Sequence, residues 1–280
     1  MLRRVIAVIL SLFSISFADS LTVDKSGFST YTQINEFILP EGESVVGPIK
    51  LLPLAKVESL VITPTDSTVS VVGYVFEPSR NNWIENVVGK TISIEGEGRV
   101  ISGTVISVKD GYITIDTKRG LVITTLPTFP SRLSSSLNWQ DLMSPKITVR
   151  LKSSKPQNAT VKISYPLEGF SWQVSYVGNV MKDKVLIQQF YTIKNETSLN
   201  LKDVELYIKD RDMTVKLFNK TFIEPYTSKV VKFREMEGSL SGKVIKIPEK
   251  YNLNNTTINL YKDNIFLGTF KIINNAVNLP

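Results

Sequence analysis

The side chains able to do chemistry here are set first by two absences: the 280 residues contain no His and no Cys. That excludes Ser-His-Asp and Cys-His nucleophilic catalysis, His- or Cys-ligated metals, iron–sulfur clusters and disulfides. Carboxylate, Lys, Tyr, Ser and Thr chemistry remain. Asp203, Glu205, Asp210 and Asp212 lie close enough in sequence to raise a hard cation such as Ca²⁺. Lys209-Asp210-Arg211-Asp212 alternates in sign, however, and lacks an Asp-x-Asp-x-Asp-Gly loop, so it reads as a solvated turn. Glu235 and Glu237 would need a cleft and a set separation to act as a glycosidase pair, and a spacing of two supplies neither. We expect no catalytic, cofactor-binding or metal-binding residues.

Aromatic residues offer a different chemistry. Trp83, Trp139 and Trp172 could stack on sugar rings if exposed, whereas three buried tryptophans would exclude that use. Around Trp172, strand alternation places Val174 and Tyr176 on the same face, which reads as core. Gly169 is expected to supply a positive φ to the preceding turn. Five Asn-x-Ser/Thr sequons stand at Asn158, Asn195, Asn219, Asn254 and Asn255, where glycosylation would require exposed acceptors. Lys90, Arg99, Lys109, Lys118 and Arg119 make the middle of the chain basic, but Tyr112 is its only aromatic between Gly89 and Leu126, so no nucleic acid is expected.

The elements that must hold these residues are strands. Met1-Leu2-Arg3-Arg4, an apolar run from Val5 to Phe17, and Ser16-Phe17-Ala18 form a secretory signal with cleavage expected after Ala18. Cleavage removes Arg3 and Arg4 and lowers the net charge from +7 to +5. A β region is expected over 19–82, with strands at 30–39, 57–63 and 69–76. Trp83 to Val88 reads as a helical turn. The segment 83–127 alternates apolar and polar residues between the turns Gly96-Glu97-Gly98, Asp110-Gly111 and Lys118-Arg119-Gly120. It is expected to curl into a small SH3- or Sm-like barrel, with Gly103 at a bend or bulge. A Pro- and Ser-rich connector spans 128–145, with one short helix near Leu137 to Leu142. Strands at roughly 10-residue spacing over 146–280 predict an immunoglobulin-like β-sandwich. The fold class is therefore all-β.

Ile163-Ser164-Tyr165-Pro166-Leu167-Glu168-Gly169-Phe170-Ser171-Trp172-Gln173-Val174-Ser175-Tyr176-Val177 resembles the signature of the domain-of-unknown-function family 4139. The following Val185 to Lys194 strand, the turn Asn195-Glu196-Thr197-Ser198, and Leu201 to Leu206 are similar to that family as well. The resemblance extends through Pro40-Glu41-Gly42, Ser59 to Ile62, Val87 to Ile92 and Gly103 to Val108. It implies signature positions Tyr165, Gly169, Ser171, Trp172 and Tyr176 with structural roles, and an envelope context with no established activity. This chain lacks the long coiled-coil insertion of some relatives, and its sandwich half ends sooner.

Taken together, the sequence predicts an exported, non-enzymatic protein located in the periplasm, at the cell surface or outside the cell. It would act as a scaffold for a protein or envelope polymer, with oligomers formed through edge strands and peripheral contact with a membrane surface compatible with its charge. Thr256 to Ile273 is the expected edge, and Asn274 to Pro280 is expected to be dispensable. Alternatives are a carbohydrate-binding module and, more weakly, a hydrolase using two convergent carboxylates.

Overall fold

The computed structural model describes residues 18–79, 83–96 and 98–279. The signal sequence up to Phe17 lies outside the described residues, as does Glu97 in its expected turn. The described residues are all-β apart from short 3-10 turns and one five-residue α-helix, Trp139–Met143. It divides into two compact units: residues 34–165, and the segment ending at Gln33 together with residues from Pro166 onward.

This division corrects the boundary expected at 145. In the first unit Lys146–Ser153 is the central strand of a three-stranded sheet, between Gly42–Lys50 and Val69–Glu77. Ile147, Val149 and Leu151 alternate into its core. The first strand of the expected sandwich is thus paired with the N-terminal β region. Val57 to Thr63 is also not one strand: Val57–Ser59 forms a 3-10 turn before the strand Val61–Pro64.

The barrel-like sheet of this unit follows the sequence closely. Thr91–Gly96, Arg99–Lys109, Tyr112–Thr117 and Gly120–Thr125 pair in antiparallel succession. Ile92, Ile94, Val105, Ile113 and Ile115 point inward at period two and form one core with Val87. A fifth strand, Arg132–Ser134, arises within the expected connector and pairs with Thr91–Gly96. Gly103 is explained by close approach rather than by a bulge. A Cβ there would lie 2.2 Å from the Asp116 carbonyl oxygen, while the register shift falls further along the strand, between Val105 and Ser107.

The second unit contains two groups of strands. Ser20–Asp24 pairs in parallel with Leu201–Asp210 and in antiparallel fashion with the start of Ser29–Leu39, and Leu201–Asp210 pairs with Met213–Ile223. The other group is a seven-stranded sheet. Its order is Ile265–Lys271, Thr257–Lys262, Phe170–Val180, Lys184–Asn195, Thr227–Ser241, Val244–Lys246 and Ala276–Asn278. Ile258 and Leu260 near one end share a core with Ile245 and Val277 near the other, so the sheet curls around that core. The tail is therefore not dispensable: Val277 is fully buried, and Leu279 N–H donates to the Lys243 carbonyl at 2.7 Å.

Candidate functional site

The signature residues build a corner rather than a reactive centre. Gly169 has φ +84°, as its place in the turn requires, and a Cβ on it would sit 2.4 Å from Thr197 Cγ2. Thr197 belongs to the facing turn, which Asn195 organises. Asn195 Nδ2 donates to the carbonyls of Leu199 and Glu224, each at 2.8 Å. Its Oδ1 accepts from Thr197 N–H at 3.0 Å and Thr197 Oγ1 at 2.7 Å, and Thr197 Oγ1 accepts from Leu199 N–H. Glu196 N–H then donates to the Gly169 carbonyl at 2.8 Å, joining the two turns.

Trp172 lies at the rim of the core, partly buried. Its Nε1 donates to the Lys209 carbonyl at 3.2 Å, its ring meets Tyr191 edge-on at 5.5 Å, and Lys25 Nζ sits 5.6 Å over it. Lys25 is held in turn by Asp210 at 2.9 Å. Trp172 thus ties the Ser20–Asp24 and Leu201–Asp210 strands to the seven-stranded sheet. Ser171 faces Lys194 across the ladder, Tyr176 is buried, and Tyr165 belongs to the other unit, where its hydroxyl accepts from Leu52 N–H.

A buried polar chain continues from Tyr191. Gln189 Nε2 donates to the Tyr191 hydroxyl at 2.9 Å, and Arg234 Nε donates to Gln189 Oε1 at 2.6 Å. Burial pushes the phenols of Tyr176 and Tyr191 above their ordinary range, and the nearby Arg234 cation partly opposes this.

Of the six carboxylates considered for metal or acid chemistry, five pair with cations, Asp210 with Lys25 among them. Asp203 pairs with Lys220, Glu205 with Lys216, Glu237 with Lys184, and Glu235 with Lys232 and Gln188. The Lys216 ammonium and the Tyr207 hydroxyl hold Glu205 below the usual carboxylate range. Among the described residues no cluster of three or more acidic side chains has the geometry to hold a metal ion.

The sequons divide. Asn158, Asn219, Asn254 and Asn255 are exposed. Asn195 is a correction: it is 1% exposed and both its amide groups are committed to the turn, so it cannot serve as an acceptor.

The cavity that gathers polar groups lies in the first unit, with a volume of about 390 Å³. Three strands end at its floor. Lys146 stands opposite Lys50 on one side and Glu77 on the other. Two ammonium groups facing each other across a ladder repel. Here each turns to a carboxylate: Lys50 to Asp141, and Lys146 to Glu77 at 3.7 Å. Lys90 enters from the turn before Thr91–Gly96. Burial, with the Lys146 ammonium beside it, lowers its amine below the ordinary value.

Two short helical segments pack together and wall the cavity. One is the 3-10 turn Trp83–Val87, contributing Glu85 and Asn86; the other is Trp139–Met143, contributing Asp141 and Leu142. The α-helix is capped by Asn138, whose Oδ1 accepts from Asp141 N–H at 2.8 Å. Asn86 Nδ2 reaches Met143 Sδ at 3.2 Å between the segments. Val87 is in the barrel core, with Ile84 and Leu142 packed against it, which leaves the leading tryptophans outside. Trp83 is 45% and Trp139 49% exposed. The sequence singled out both tryptophans but missed the cavity. The signal was a repeated spacing, Trp83-Ile84-Glu85 and Trp139-Gln140-Asp141, each with an acid two residues after its Trp.

Comparison with protein-family models, curated proteins and solved structures finds no match for this chain. No helix among the described residues is long and apolar enough to cross a membrane.

Proposed function

We propose that this chain is an exported, non-enzymatic protein of the cell envelope or surface. It works as an interaction scaffold, taking an extended segment of a partner along the edge strand Ile265–Lys271. The observation that carries this reading is the state of that strand. It is outermost in the seven-stranded sheet and, among the described residues, pairs along its length with Thr257–Lys262 alone, and Ile265, Phe266 and Leu267 are exposed in succession. An unpaired row of backbone donors and acceptors beside exposed apolar side chains suits strand addition, in which main-chain bonds give affinity and side chains give selectivity. The edge is narrower than the sequence implied, because Thr257–Lys262 is interior to the sheet. The resemblance to family 4139 is kept in this proposal, with the signature residues in structural tasks.

The test is cross-linked capture from the native envelope with the wild-type protein and an Ile265→Lys/Leu267→Lys variant. Both positions are exposed, so the variant should fold normally by circular dichroism. The reading expects a partner recovered by the wild type and lost by the variant. Recovery of the same partner by both, or of the wild type alone as a monomer, overturns it.

A further inference from the structure

We propose that the first unit's cavity, walled by Trp83–Val87 and Trp139–Met143, is a binding site for a short stretch of neutral saccharide. Sugars present two chemistries at once: hydroxyl groups that donate and accept, and apolar C–H faces that stack on aromatic rings. The cavity offers both. Glu77, Glu85 and Asp141 supply acceptors, and Lys90 and Lys146 supply donors. Phe76 lines the same space with 42% of its surface exposed. Trp83 and Trp139 stand exposed at the head of the two walling segments but outside the lining, so Phe76 is the stacking face.

Charge selects the ligand class. The three carboxylates are matched by Lys50, Lys90 and Lys146, and two of these cations are already paired within the site. A polyanion would have to displace Asp141 and Glu77 from their lysines and then sit among three carboxylates. A cation would meet the Lys90 and Lys146 ammonium groups. An uncharged ligand rich in hydroxyls meets neither penalty, and each of its hydroxyls can bridge an acid and a base. The volume, about 390 Å³, lies toward the small end of ligand sites and suits a short stretch of sugar stacked on Phe76 rather than a long enclosed chain. The same pairing argues against hydrolysis. A carboxylic general acid is usually set in apolar surroundings, whereas Asp141 and Glu77 each contact an ammonium group.

The experiment uses the full mature chain on a glycan array carrying neutral, amino-sugar and acidic polysaccharide fragments. Titration of the retained oligosaccharides follows, read by calorimetry and tryptophan fluorescence. Neutral glycans should be retained, with little change on raising salt. Phe76→Ala should weaken binding by about tenfold. Glu85→Gln keeps the shape of the site and should also weaken binding, which separates hydrogen bonding from packing. Phe266→Ala, on the edge strand of the second unit, should bind as the wild type does. That distinguishes this site from the scaffold reading, and either can fail alone. Retention of acidic glycans only, lost in salt, overturns the assignment. So does the absence of neutral-glycan binding at about 1 mM ligand, or binding unchanged in both cavity variants.

Discussion

Replacing Gly169 with Ala tests the corner at its tightest point. Two costs arise from separate causes. The first is conformational: Gly169 has φ +84°, and a Cβ in the left-handed region costs about 1–2 kcal/mol. The second is steric: the new methyl would sit 2.4 Å from Thr197 Cγ2, well inside contact distance, in a buried turn that cannot expand freely. Overpacking of this kind costs about 1–3 kcal/mol. Together Gly169→Ala should destabilise the second unit by roughly 2–5 kcal/mol.

The steric part can be removed without touching the turn's hydrogen bonds. Thr197→Ser deletes Cγ2 and keeps Oγ1, which bonds Asn195 Oδ1 and Leu199 N–H. Alone it should cost about 1 kcal/mol for the lost buried methyl. In the double variant the clash is gone and only the backbone cost remains. The two substitutions should therefore couple favourably by about 1–3 kcal/mol. The assay is urea unfolding in a Trp83→Phe/Trp139→Phe background, where Trp172 is the sole tryptophan and reports on the second unit. Additivity within about 0.5 kcal/mol would show that the methyl contact does not govern the turn and would refute the reasoning.

Asn195→Ala should cost about 3–5 kcal/mol, because it strands the Leu199 and Glu224 carbonyls and the Thr197 amide in a buried site; a loss below about 1 kcal/mol in the same unfolding assay would contradict the geometry. Truncation after Ile273 removes buried Val277 and the strand paired with Val244–Lys246, and should destabilise the second unit by at least about 2 kcal/mol by urea unfolding. Alkaline titration should also weaken this unit. Tyr176 and Tyr191 have folded values above the ordinary 10.0, so the folded state holds their protons more tightly. The stability is intact below that pH and falls as pH rises through the folded values. Replacing both tyrosines with Phe should flatten the decline above about pH 10.

Local pattern made the barrel legible. Ile92, Ile94, Ile113 and Ile115 alternate cleanly, and Asp110-Gly111, both at positive φ, closes a tight hairpin. Gly169's conformation was legible for the same reason, since a turn before an aromatic strand needs a residue free of a Cβ. Pairing between distant segments was not legible. Ser20–Asp24 lies beside Leu201–Asp210, some 185 residues away, and nothing in five residues of alternation names that partner. The division at 145 failed for a related reason. Lys146–Ser153 looks like the first of a series of strands, but its neighbours on both sides come from before residue 78. The cavity escaped because it is assembled from strand ends and two short helical segments, each too brief to carry a periodic signal of its own.

Thr227–Ser241 shows how a single residue can hide an element from pattern reading. Alternation predicts a strand over Lys229 to Arg234 and then breaks, yet the observed strand runs on for fifteen residues. The break marks a bulge: Gln189 pairs with Arg234, but Phe190 pairs with Lys232, so Phe233 is extra. Before it, Val231 and Lys229 stand opposite Tyr191 and Ile193; beyond it, Arg234 and Met236 stand opposite Gln189 and Ile187. The inward parity therefore switches from odd to even at Phe233, and a regular strand would have turned one half of its core residues to solvent. The switch also brings neighbouring residues to one place. Phe233 packs edge-on against Tyr191 at 5.1 Å while Arg234 reaches Gln189. In an unbroken strand these two side chains would point to opposite faces, and the chain from Tyr191 through Gln189 to Arg234 would lose either its aromatic cover or its cation.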